Sequence, residues 1–312
     1  MAGVLLLAGT AAAQPTAWPA YGAAKAAVVV LGTVQDAGSP HIGCRKACCE
    51  QLRQTPDPSR KVVCLGITDP VERKKYLVEA TPDLPQQLRW LGRLEWESEQ
   101  DVPDAIFLTH AHIGHYSGLM YLGKEALGAD AVPVHVMPRM QRFLTDNGPW
   151  SQLVADGRIA LRPMEADEAV VLSDRLSVVP FQVPHRDEYS ETVGFRIIGP
   201  ERTILFIPDI DKWSRWGLSL PEVLAEVDLA LVDATFFDGT ELPHRDMSEI
   251  PHPFVVETMA SLAELPLATR QKVVFLHLNH TNPLLNRDSP AYRQVTDAGF
   301  RVAQLFDRYE LE

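Results

Sequence analysis

Cysteine and positive charge are both scarce in this chain. Four cysteines in 312 residues do not make a disulfide framework, which belongs to short secreted domains with small cores. With 29 Lys and Arg against 41 Asp and Glu, the formal net charge is −12. That excess argues against a nucleic-acid backbone as partner, because phosphate neutralisation needs a basic footprint. A small anionic substrate stays compatible, since bound metal ions reverse the local field of an acidic protein. No apolar run is long enough to span a bilayer. A Gly-x-Ser-x-Gly elbow, a solenoid-period repeat and a long charge run are all missing.

What is present is ordinary for a globular protein: 46% hydrophobic and 22% charged residues, enough for one large domain with a sizeable core. Met1–Ala13 is a short apolar run that ends in small residues before Gln14. It reads as the remnant of a secretory signal with cleavage after Ala13, although a basic n-region is missing. Gln14–Lys25, rich in Ala and Pro, reads as a linker, and residues 26–312 as the domain. The expected compartment is periplasmic or secreted, with the cytoplasm as the alternative.

Along residues 26–312, compact runs rich in branched residues alternate with helical spacing. Ala26–Leu31, Lys61–Ile67, Lys75–Glu79 and Ala105–Leu108 read as buried strands. Asp83–Leu91, Ser117–Leu127 and Pro138–Asn147 read as helices. Ile159–Leu161, Ala169–Leu172, Leu176–Val183, Val193–Ile198 and Thr203–Ile207 form a strand-dense middle, followed by strands at Asp228–Val232 and Lys272–Leu278. Phe254–Leu262 and Pro290–Ala298 are helices, and Arg301–Phe306 is a closing strand. Two sheets with helices on their outer faces are the packing this order predicts.

The histidines fall where such a fold keeps its chemistry. Ala105–Leu108 runs straight into Thr109-His110-Ala111-His112-Ile113-Gly114-His115. His185 follows the strand Leu176–Val183, Asp209 follows Thr203–Ile207, and His277 closes Val273–Leu276. A lone histidine is usually structural, and His135 is read so. Three within six positions between a strand and a helix form a metal-binding pattern, since imidazole serves zinc and iron alike. Three cysteines crowd into Cys44, Cys48 and Cys49; vicinal cysteines bridge poorly, so a metal suits them better than disulfides.

The segment THAHIGHYSGL resembles the His-x-His-x-Asp-His motif of metallo-β-lactamase-fold enzymes, with the later His, Asp and His in the expected order. The resemblance covers essentially everything after the linker and implies a four-layered αββα sandwich. It further implies that His110, His112 and His185 hold one metal, His115 and His277 a second, and that Asp209 bridges them. Gly114 stands where the family has Asp, which leaves the second metal His115, Asp209 and His277, a set that also fits an open-sided non-haem iron site. Gln35–Cys44, Asp233–Phe236 leading to Pro251-His252-Pro253, and His277–Asn286 resemble the coenzyme PQQ synthesis protein B family. That family's active-site loop lacks the full His-x-His pair found here. A related phosphodiesterase family carries a structural zinc on an early Cys trio and a late His. By that resemblance Cys44, Cys48, Cys49 and His280 would hold a structural zinc, with His41 a weaker stand-in for His280.

The function implied is a hydrolase with two divalent active-site metals (zinc, alternatively iron or manganese) acting on an ester, phosphodiester or amide centre of a small molecule. The alternative is an iron oxygenase using His115, Asp209 and His277; a third class is a metal-bearing binding protein without turnover. Asp209 would also position the nucleophile, and His252 or His244, in the Pro-rich loop Thr235–Pro253, would protonate a leaving group. Asp36 and Asp83 are expected to orient ligand imidazoles from behind. Trp213 and Trp216 would line the pocket or pack.

Overall fold

The computed structural model describes residues 25–98, 101–243 and 245–312. The signal remnant, the linker up to residue 24, and His244 lie outside the described residues. The first sheet contains β1 (Ala27–Gly32), β2 (Cys64–Asp69), β3 (Lys74–Val78), β4 (Ala105–Phe107), β5 (Val132–Val136) and β6 (Ile159–Pro163). The second contains β7 (Val170–Val171), β8 (Ser177–Gln182), β9 (Val193–Ile198), β10 (Thr203–Ile207), β11 (Leu229–Asp233), β12 (Val273–Leu276) and β13 (Arg301–Val302). The last strand, β14 (Arg308–Glu310), crosses back to pair antiparallel with β1. In space the sheets run β14-β1-β2-β3-β4-β5-β6 and β13-β12-β11-β10-β9-β8-β7.

Each sheet is antiparallel on one side and parallel on the other: β3 to β6 pair in parallel, as do β10 to β13. The alternation within a strand divides its side chains between two cores. Val28 and Val30 of β1 pack with Phe107, Phe195, Phe206 and Leu231 between the sheets. Val29 and Leu31 point outward into Leu84, Leu88, Leu91 and Leu144 of the covering helices. The second sheet does the same, with Leu205, Ile207, Val232 and Phe275 under helices that supply Leu220, Val223, Val255 and Val295. Helix, sheet, sheet, helix is the expected four-layered αββα sandwich. Burial on both faces is why these strands read as unbroken apolar runs.

Three local expectations are corrected. The helix after His115 is short: Ile113–Tyr116 is α-helical, Ser117–Leu122 is a 3₁₀ turn, and the chain becomes extended at Gly123. The closing strand stops at Val302, and Phe306 takes φ 68° to redirect the chain toward β1. Ala47–Gln54, Trp150–Ala155 and Leu220–Ala225 are helices that apolar periodicity did not reveal, each being only 6 to 8 residues long. Among the described residues no helix is long and apolar enough to cross a membrane.

Candidate metal centre

The carboxyl ends of the parallel strands converge at one rim, the usual place for a site in sheets of this kind. Glu79 follows β3 and Thr109-His110 follow β4 in one sheet. Asp209 follows β10, Asp233 ends β11, and His277 follows β12 in the other. Glu79 and His277 are non-glycine residues at φ 78° and 64°. Each costs on the order of 1 kcal/mol or more, a strain located at the two strand ends that face each other across the site.

Two donor groups share Asp209. His110, His112, His185 and Asp209 bring one ligand atom each to within 4.8 Å of the others, and so do Asp36, His115, Asp209 and His277. In the first group His110 Nε2 lies 2.9 Å from His112 Nδ1 and 3.4 Å from Asp209 Oδ2, with His185 Nε2 3.6 Å from Asp209 Oδ1. In the second, Asp209 Oδ2 is 3.0 Å from His115 Nε2 and 3.4 Å from His277 Nε2. Asp36 Oδ1 is 3.0 Å from His115 Nε2 and 3.6 Å from His277 Nε2.

The far sides of the imidazoles are held, and this sets their tautomers. The Thr109 hydroxyl donates to Glu79 Oε1 (2.5 Å), so it can only accept from His110 Nδ1 (2.8 Å). The Thr235 hydroxyl donates to Asp233 Oδ1 (2.7 Å) and accepts from His277 Nδ1 (2.9 Å). Carboxylates do the same for the others: Glu79 Oε1 faces His115 Nδ1 at 3.1 Å, and Asp211 Oδ1 accepts from His185 Nδ1 at 3.2 Å. His110, His185 and His277 therefore carry their proton on Nδ1 and present the Nε2 lone pair inward, the arrangement that partners behind a metal-binding histidine produce, while His115 has carboxylates at both nitrogens.

Several inward atoms have no partner of their own. His115 Nε2, His185 Nε2, His277 Nε2, Asp36 Oδ1 and Asp209 Oδ1 are buried without a hydrogen bond. Unsatisfied buried polar groups are rare and costly, and five converging on one point fit divalent cations. Charge agrees. Burial opposes ionisation of Asp209, yet His277, His185 and His115 hold it well below the usual carboxylate range. Asp36 is depressed against burial by His115 and His277. Burial opposes protonation of His115, but Glu79, Asp209 and Asp36 raise it well above the usual histidine range. Buried carboxylates in this number call for positive charge, which metal ions supply.

His252 and Asp233 form a third group on Asp209. His252 Nδ1 lies 2.7 Å from Asp233 Oδ2 and 3.3 Å from Asp209 Oδ1. Burial would lower its pKa, but Asp233 raises it to about 9. Glu79, Asp211, Thr109 and Thr235 do not stand out in the sequence as supporting residues; of these only Thr109 is next to a histidine in the chain. Two other expectations change. Asp83 does not reach the site: it accepts from Val62 N (2.9 Å) and pairs with Lys61 Nζ (3.0 Å). Asp36 does not sit behind a ring, because Glu79 and Thr235 already hold those positions; it faces the Nε2 side. Trp213 donates to Thr258 Oγ1 (2.8 Å) and Trp216 packs on Phe181, and His135 stacks on Phe107 between β4 and β5.

The thiol cluster lies apart from this centre. Cys44, Cys49 and His280 bring ligand atoms within 4.8 Å of one another. Cys48 Sγ is 4.0 Å from Cys49 Sγ but outside that set, since neighbouring residues on the helix Ala47–Gln54 point about 100° apart. The His41 ring stacks 4.3 Å from His280, with a buried, unpartnered Nδ1. Despite a burial penalty, the Lys46 N–H and the thiols of Cys49 and Cys48 hold Cys44 below its ordinary pKa, and the thiolate is the form that binds metal.

An αββα sandwich with two imidazole–carboxylate groups sharing one aspartate is the architecture of a metallo-β-lactamase-fold protein. Residues 74–278 match the model of the beta-lactamase superfamily domain, and the chain belongs to that family. It is similar to coenzyme PQQ synthesis protein B of Methylobacterium nodulans, 28% identical over 307 residues that cover 88% of this chain and 96% of the relative. The same protein of Xanthomonas axonopodis pv. citri is 24% identical over 302 residues, covering 88% and 97%. Among solved structures, Zn²⁺-bound PqqB from Methylobacterium extorquens superposes with a TM-score of 0.74 at 23% identity, covering 91% of this chain and 100% of that one. A diphosphatase of the PhnP family gives 0.62 at 22%, covering 92% and 97%. Human tRNase Z, short form, gives 0.56 at 16%, covering 92% and 99%.

Proposed function

We propose that this protein is a metal-dependent hydrolase that acts on an ester, phosphodiester or amide centre of a small molecule. The observation that carries this is the pair of donor groups sharing Asp209, with the Nδ1 atoms of His110, His185 and His277 held from behind. His110, His112 and His185 would hold one divalent ion and His115 and His277 the other, with Asp209 between them. Two such ions, when bound, supply a water acidified toward neutrality and electrophilic stabilisation of a developing oxyanion.

The protein's own groups divide the remaining work. Asp209 is fixed by the imidazoles around it and orients what lies between the two groups. His252 keeps a proton at neutral pH, Asp233 fixing Nδ1, so that Nε2–H is the proton available to a leaving group. An oxygenase reading rested on a second group with only one carboxylate. Asp36 stands beside that group, which favours the hydrolase. Hydrolases among the structural neighbours, a diphosphatase and a tRNase, accord with it, and export follows from the proposed signal remnant.

The test is protein purified without added metal, analysed for bound elements, then assayed with zinc, manganese or ferrous iron. Bis(p-nitrophenyl) phosphate and a lactone panel report hydrolysis, and an oxygen electrode reports oxygenation. Hydrolysis that disappears in the His110→Ala/His112→Ala double variant is expected. Oxygen uptake with iron, and no hydrolysis with any metal, would reject the proposal.

A further inference from the structure

The family's carboxylate position in the second metal group is Gly114 here, yet the space for that side chain is not empty. A Cβ built on Gly114 would lie 2.3 Å from Asp36 Oδ1, 2.6 Å from Asp36 Cα and 2.7 Å from Asp36 Cγ. Backbone and carboxylate of another segment already fill it. Gly114 is not among the residues with positive φ, so glycine serves here for close approach alone.

We propose that Asp36 is the carboxylate ligand of the second metal, the ligand having moved from the loop after β4 to the loop after β1. The proposal rests on the metal-centre reading above and adds to it the one residue that the family motif does not contain. Three observations carry it. Asp36 Oδ1 approaches the Nε2 atoms of His115 and His277, at 3.0 and 3.6 Å, while the Nδ1 atoms of both rings face Glu79 and Thr235. That oxygen is buried with no hydrogen-bond partner, as a ligand oxygen would be in a structure without its ion. The segment is also delivered there by its own backbone: Val34 bridges Val62 and Leu278, Gln35 N donates to Leu278 O (2.9 Å), and Gly38 closes the turn onto Gln35 O (2.8 Å) at φ +74°.

A ligand makes a prediction that an orienting residue does not. Metal equivalents per chain and the rate of zinc transfer to a chelator are measured on the full-length protein. Asp36→Asn, close to isosteric, should weaken the second metal by more than the ~10–100-fold typical of losing an outer partner. Gly114→Asp alone should fold poorly or lose the second metal, because its side chain collides with Asp36. Circular dichroism and melting temperature report folding for each variant.

Asp36→Asn retaining both equivalents with the parent's transfer rate, while folded, overturns the proposal. Failure of the underlying reading looks different: His110→Ala/His112→Ala would then keep the parent's metal content, or the parent would take up no metal beyond the thiol cluster.

Discussion

Glu79→Gln tests the logic that links the buried carboxylates to metal binding. Glu79 is fully buried at the end of β3; its Oε1 accepts from Thr109 Oγ1 at 2.5 Å and faces His115 Nδ1 at 3.1 Å, while Oε2 accepts from Thr109 N at 3.3 Å. The amide keeps shape and volume, so no cavity forms. It cannot, however, accept through both ends. With its oxygen at the Oε2 position, accepting from Thr109 N, its NH₂ stands at the Oε1 position, faces His115 Nδ1 and makes that ring accept there; the reverse placement sets NH₂ against the Thr109 N–H. The ring proton then moves to Nε2, the atom aimed at Asp209 and Asp36. Losing such a partner lowers metal affinity by about 10–100-fold, or about 1.4–2.8 kcal/mol. Chelator competition on zinc-loaded protein should show this for one active-site equivalent and leave the His110–His112–His185 equivalent in place. A folded Glu79→Gln protein that gives up both equivalents at the parent's rates would refute the tautomer argument.

Other outcomes follow from neighbouring parts of the structure. Cys49→Ser should abolish metal binding at the thiol cluster and lower the melting temperature, since a closed thiolate–imidazole site contributes to folding; a variant with the parent's melting temperature and total zinc would count against that site. It should also weaken the second active-site metal, because the segment from residue 34 to Cys44 carries Asp36, and His280 follows His277 by three residues. His252→Asn should keep all bound metal but lower kcat on substrates with poor leaving groups by ~10²–10⁴-fold, with little effect on activated aryl esters; an equal loss on both would remove its role as proton donor. Glu241, in the loop between β11 and the helix Val255–Ser261, is raised by burial to about 7 despite hydrogen bonds from Thr281 and Phe237 N. Its folded pKa lies above the ordinary 4.5, so its contribution to stability is complete below pH 4.5 and is lost as pH rises through 7. Denaturant titrations should place the parent about 3 kcal/mol lower at pH 8 than at pH 4.5 relative to Glu241→Gln, and parallel pH profiles would contradict the assignment.

Much of the site was legible in the sequence because strand ends are legible. Ala105–Leu108 and Val273–Leu276 are buried on both faces, so they appear as apolar runs, and His110 and His277 stand immediately after them. β14 was not legible: Arg308–Glu310 has no apolar pattern of its own and exists only through pairing with Ala27–Val29. Cys48 and Cys49 look equivalent as letters, yet a short helix brings only Cys49 into the set with Cys44 and His280.

The sequence alone determined which chemistry is possible here: the imidazoles and carboxylates, their order, and their attachment to strand ends that a sandwich must gather along one rim. It also determined, through Gly114, that the family carboxylate is missing from its usual place. Only the tertiary structure decided what stands there instead. Asp36 and Gly114 are far apart in the chain, and no periodicity relates them. They meet because β1 and β4 belong to the same sheet and release their loops at the same edge. A carboxylate missing from one loop can be supplied by another only where the two backbones come this close, and that approach is a property of the fold.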